Sequence, residues 1–96
     1  MSNHNDATIK VLYVDDEPNN LLAFQAGFRR YCEIYTANTV AEGLKILNEN
    51  EIEVIIADQR MPKTTGVEFF NIIRKVNPDP VRILLTGYTD IEAIID

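Results

Sequence analysis

The chain has 96 residues, enough for one domain with a modest core that needs no disulfide or metal to staple it. Its 46% hydrophobic and 25% charged residues are those of a soluble globular domain, and its formal charge of −6 argues against nucleic acid or anionic membrane as a direct partner. The single cysteine Cys32, single histidine His4 and single serine Ser2 leave no material for a disulfide framework, a thiolate metal site, or a Ser-His-Asp or Cys-His mechanism within the domain.

Residues 1–8 form a polar lead without the pattern of a secretory signal, and no apolar run approaches the length of a membrane span, so a cytoplasmic location is expected. His4 reads as a solvated residue of that lead. Ile9 to Val14 is a strand that ends on Asp15-Asp16-Glu17. Pro18 follows where proline suits the first turn of a helix. Leu21, Phe24 and Phe28 fall at helical spacing with Leu22 and Ala26 beside them, which predicts a helix to about Arg30. Glu33 to Ala37 alternates weakly through Ile34 and Tyr35 and reads as a strand nearer the sheet edge. Cys32, beside it, reads as a small buried hydrophobe.

Thr39-Val40-Ala41-Glu42 has the form of a capping box, in which the threonine and glutamate side chains each satisfy a backbone N–H at a helix start. Val40, Leu44 and Leu47 would mark the inner face of that helix, which stops in Asn48-Glu49-Asn50. Val54-Ile55-Ile56-Ala57 then runs straight into Asp58 and a polar turn closed by Met61-Pro62, as suits a strand buried on both faces of a parallel sheet. Thr65-Gly66-Val67-Glu68 is a second capping box, and Phe69, Ile72, Ile73 and Val76 give the core stripe of a third helix that Asn77-Pro78-Asp79-Pro80 ends. Val81 to Leu85 is a fourth strand, reaching Thr86-Gly87. A third capping box, Thr89-Asp90-Ile91-Glu92, opens a helix that is unfinished at Asp96.

Strand and helix alternate throughout, and each helix is long enough to cross back over the sheet. The expected architecture is α/β, a doubly wound parallel sheet. In such sheets ligands bind at the carboxyl ends of the strands, and there Asp15, Asp16, Glu17, Asp58 and Thr86 would meet. Taken singly, each is better explained as a helix-dipole partner, a turn residue or a strand-end hydroxyl. Their arrival from three strands at one edge is what argues for a site. Converging carboxylates repel and need a cation, and hard oxygens without histidine or thiol favour Mg²⁺ or Mn²⁺ over zinc.

Val14-Asp15-Asp16-Glu17-Pro18, Ala57-Asp58 with Met61-Pro62 and Gly66, and Leu84-Leu85-Thr86-Gly87 together resemble the receiver domain of bacterial two-component response regulators. The resemblance runs from about Lys10 to the end of the chain, and assigns residues 9–96 to the receiver. It implies the flavodoxin-like strand order 2-1-3-4, with the family's fifth strand, its strand-end lysine, its aromatic switch residue and its last helix absent.

By position, the resemblance makes Asp58 the phosphoacceptor. Asp16 would bind Mg²⁺ directly, with Asp15 acting mainly through water, and the backbone carbonyl of Arg60 would be a further ligand. Thr86 would hydrogen-bond the phosphoryl oxygens. The implied partner is a sensor histidine kinase or phosphotransfer protein, and the implied role is a signalling domain that catalyses only its own phosphorylation and dephosphorylation while controlling an output domain outside this chain. Asp58-Gln59-Arg60-Met61-Pro62 and Leu84 to Tyr88 also resemble receivers joined to cyclic-dinucleotide phosphodiesterases.

Two departures stand out. Gly87 replaces the alanine that commonly follows the switch threonine, and Lys10, Lys45, Lys63 and Lys75 all precede the fourth strand. Poor phosphotransfer is therefore expected, as is self-association through the fourth strand or the terminal helix, whose apolar surfaces would lack neighbours. Among other classes, a haloacid-dehalogenase-like phosphatase would need an aspartate where Arg60 stands. A Rossmann nucleotide site would need a glycine-rich loop that no strand here precedes. A degenerate receiver serving only as an interaction surface is opposed by the intact Asp15, Asp16, Asp58 and Thr86.

Overall fold

A computed structural model describes residues 8–87. The terminal helix predicted from Asp90, its capping box and most of the polar lead lie outside the described residues. Four strands alternate with three helices: β1 (Ile9–Val14), α1 (Pro18–Phe28), β2 (Cys32–Ala37), α2 (Val40–Glu49), β3 (Val54–Asp58), α3 (Gly66–Val76) and β4 (Val81–Leu85). All strand pairs are parallel and the sheet order is β2-β1-β3-β4, the flavodoxin-like order expected.

The pleat sends alternate residues of β1 and β3 to opposite faces, and each face is buried by different helices. Leu12, Val14, Ile55 and Ala57 pack with Phe69 and Ile73 of α3, and Val40, Leu44 and Leu47 of α2 close against them. Val11, Tyr13 and Ile56 turn the other way, onto Leu21 and Phe24 of α1. Central strands buried on both sides explain why Val54 to Ala57 reads as a continuous apolar run rather than an alternation.

Local chemistry sets the helix boundaries. At α3 the Thr65 hydroxyl accepts from the Glu68 amide at 3.1 Å while the Glu68 carboxylate accepts from the Thr65 amide at 2.8 Å, a complete capping box. At α2 only half of the predicted box forms. Thr39 accepts from the Glu42 amide, but the Glu42 carboxylate takes the amide of Asn38, one residue further out. The first helix stops at Phe28, two residues before the expected end.

The predicted stripe of α3 is only partly buried. Phe69 and Ile73 are in the core, but Ile72 is 41% and Val76 79% exposed. Ile72 lies about 60° around the helix from Phe69, at the rim of the stripe, while Val76 shares the side of Phe69 but is the last residue of the helix. Among the described residues β4 is an edge, and Val81, Ile83 and Leu85 stand exposed along one of its faces.

Candidate functional site

The parallel sheet brings the ends of β1, β3 and β4 to one edge. Asp15 and Asp16 leave β1, Asp58 closes β3, and Thr86 is the first residue past β4. Asp58 is paired in register with Leu85, so Thr86 lies one step beyond the Asp58 position on the adjoining strand. One carboxylate oxygen from each of Asp15, Asp16 and Asp58 falls within 4.8 Å of the others. At that separation two carboxylates repel by about 3–4 kcal/mol at an effective dielectric of 20, less where water screens them.

The three acids differ in environment. Asp15 is 1% exposed, Asp58 is half-buried and Asp16 is open to solvent. Burial of Asp15 is matched by three donors. Its Oδ2 accepts from the Tyr13 hydroxyl at 2.6 Å and from the Asn20 side-chain amide at 3.0 Å, and its Oδ1 accepts from the Glu17 amide at 2.9 Å. Burial first, then the hydrogen bond to Asp15, then the charges of Asp15 and Asp58 push the Tyr13 phenol well above the usual tyrosine value. It stays protonated and donating at any physiological pH. Phe24 braces the Tyr13 ring edge-on at 4.9 Å between centroids.

On the β3 side, the Arg60 amide donates to Asp58 Oδ1 at 3.3 Å. Arg60 is exposed, while Met61 beside it turns into the core, so the loop is anchored immediately after its polar residues. Gln59 is bonded in three directions. Its amide donates to the Leu85 carbonyl at 3.0 Å, its carbonyl accepts from the Gly66 amide at 3.3 Å, and its side-chain oxygen accepts from the Val67 amide at 3.0 Å. Gly66 is where the start of α3 comes against the end of β3. A Cβ there would lie 2.8 Å from the Asp58 carbonyl oxygen and would also overlap the Leu84 side chain.

Over residues 11–96 the sequence matches the response regulator receiver domain. The chain belongs to that family. It is 39% identical over 90 residues to the hydrogenase transcriptional regulatory protein HoxA of Cupriavidus necator, an alignment covering 94% of this chain and 19% of that protein. It is 36% identical over 86 residues to a Vibrio cholerae protein named as a probable cyclic di-GMP phosphodiesterase, covering 85% of this chain and 19% of that one. The receiver spans about a fifth of the length of these two curated relatives. A crystal structure of a response regulator receiver domain protein from Clostridium thermocellum superposes with a TM-score of 0.84 at 36% identity, covering 91% of this chain and 71% of that one.

Receiver domains act in two-component phosphorelay signalling and bind Mg²⁺ through an acidic pocket, and the oxygen-only cluster of this receiver fits a hard cation of that kind. Of the residues singled out in the sequence, Asp15, Asp16 and Asp58 are brought together, and Arg60 and Thr86 follow the same strand ends. Three residues at this edge were not anticipated. Tyr13 lies two before Asp15, and residues two apart on a strand share a face, so its phenol was predictable as a donor. Asn20 and Gln59 carried no such signal, because their partners depend on how the loops close. No helix among the described residues is long and apolar enough to cross a membrane.

Proposed function

We propose that Asp58 is the residue of this receiver that takes the phosphoryl group, within a Mg²⁺ site formed by Asp15, Asp16, Asp58 and the Arg60 carbonyl. The convergence of the three carboxylates within 4.8 Å carries this reading. Asp15 is enclosed and committed to three donors, so it cannot be the nucleophile. Asp58 is more accessible and stands at the end of the most apolar strand.

An Asp58 carboxylate oxygen attacks the phosphorus of a phosphohistidine on a kinase or phosphotransfer protein. The P–N bond breaks, the leaving imidazole takes up a proton, and an acyl phosphate remains on Asp58. When bound, Mg²⁺ neutralises charge on the carboxylates and on the transferred group. Asp16, open to solvent, would hold the cation directly, while buried Asp15 would present a fixed charge to it. Thr86, the first residue past β4, would donate its hydroxyl to the phosphoryl oxygens. The receiver thus catalyses only its own modification and hydrolysis, and its altered surface controls an output domain or partner. The Vibrio relative is in keeping with the likeness to phosphodiesterase-linked receivers, while the hydrogenase regulator is the more similar of the two, at 39% identity against 36%.

Incubation with acetyl phosphate and Mg²⁺ followed by intact mass tests the assignment. A longer version of the chain that restores the strand-end lysine should gain one phosphate, and its Asp58→Asn variant none. An adduct that persists in Asp58→Asn overturns it.

A further inference from the structure

The hydrogen bonds around Asp15 restrict how that residue can meet a cation. An ionised carboxylate offers about four lone-pair positions, two on each oxygen. On Asp15, Oδ2 already accepts from Tyr13 at 2.6 Å and from Asn20 at 3.0 Å, and Oδ1 accepts from the Glu17 amide at 2.9 Å. One position, on Oδ1, is left for a metal ion or a water bound to it. A carboxylate with one oxygen closed cannot chelate a cation through both.

The two common hard cations differ in this respect. Ca²⁺ takes about 6–8 oxygens and readily accepts a bidentate carboxylate, whereas Mg²⁺ demands a compact octahedron and keeps several of its waters. We propose that Tyr13 is a specificity-determining positioning residue: with Asn20 it closes Oδ2 of Asp15, holds that acid to a single point of contact, and so biases the site toward Mg²⁺ and against Ca²⁺. This rests on the metal site proposed above.

Tyr13 is the stronger of the two gates. Its side chain is 4% exposed and its ring is braced by Phe24, so its hydroxyl is held on Asp15 more firmly than the amide of Asn20. Asn20 is exposed, and water can partly replace its amide.

Calorimetric titration of the 96-residue chain with MgCl₂ and with CaCl₂ reads the bias as a ratio of affinities. In Tyr13→Phe the ratio of Ca²⁺ to Mg²⁺ affinity should rise by about fivefold, the worth of one freed hydrogen-bonding position. Asn20→Ala should shift it the same way by less. A merely structural loosening would weaken both ions in step and leave the ratio alone. Asn20 is on the surface, so its variant decides the matter even where Tyr13→Phe does not fold. A ratio unchanged in Asn20→Ala and in any folded Tyr13→Phe overturns the inference while leaving the metal site intact, provided Asp58→Asn still abolishes Mg²⁺ binding. A parent chain that binds neither ion overturns both.

Discussion

One substitution made at two places separates local helix preference from packing at the site. Gly27 lies within α1 and Gly66 opens α3. At Gly27 a Cβ would have nothing within 4 Å, so Gly27→Ala should gain the usual advantage of alanine over glycine in a helix, about 0.5–1 kcal/mol. At Gly66 the same methyl group meets the Asp58 carbonyl oxygen at 2.8 Å, and the Leu84 side chain as well. Leu84 can rotate aside, but the Asp58 carbonyl is main chain of β3, at the residue proposed above as the phosphoacceptor. The start of α3 must therefore move off the sheet, at a cost of about 1–3 kcal/mol for overpacking.

The two variants should thus change stability in opposite directions, with a gap of about 1.5–4 kcal/mol between them. For a domain of this size each kcal/mol shifts the melting temperature by about 4–8 °C. Urea denaturation followed by circular dichroism gives both values on one scale. Gly66→Ala within 0.5 kcal/mol of the parent, or both variants shifting the same way, would refute the close approach of α3 to Asp58.

Thr65→Ala removes one half of the capping box with Glu68 and should cost about 1 kcal/mol, read as a lower urea midpoint with unchanged slope. Tyr13 holds its proton in the folded chain above the value near 10 at which the unfolded chain releases it. Its contribution is therefore complete below pH 10 and fades as the pH climbs higher, and Tyr13→Phe should lose less stability than the parent between pH 8 and pH 11. Equal losses would refute it. Because Val81, Ile83 and Leu85 are exposed along β4, the 96-residue chain should associate at high concentration, and Ile83→Lys should return it to monomer in sedimentation runs. A parent that stays monomeric across the series refutes that role for the strand.

Val54 to Asp58 was legible because burial on both faces produces an unbroken apolar run that few other arrangements tolerate. Val81 to Leu85 also appears where its sequence places it, although one of its faces is exposed. The site was legible for a topological reason: parallel strands must deliver Asp15, Asp16 and Asp58 to one edge. Depth was harder to read. Periodicity alone grouped Ile72 and Val76 with Phe69 and Ile73, although only the latter two meet the sheet. Ile52 and Met61 are buried outside any helix or strand, where no repeat announces them. Glu42 reaching past Thr39 to the Asn38 amide is likewise a matter of how the preceding turn closes.

The three-way bonding of Gln59 has a mechanical consequence. One residue fastens the tip of β4 through its amide and the first turn of α3 through its carbonyl and side chain, directly after Asp58. These two elements cannot be displaced independently while those bonds hold. A pull at Asp58 moves both together, like two levers on one pin, while α1 packs against the opposite face of the sheet and can stay still as the reference frame. A partner that grips both faces would therefore sense a relative tilt, and a partner that grips only the β4–α3 side would sense a translation. Replacing Gln59 with alanine would remove the side-chain link and leave the main-chain ones, so α3 would gain freedom while β4 kept its place.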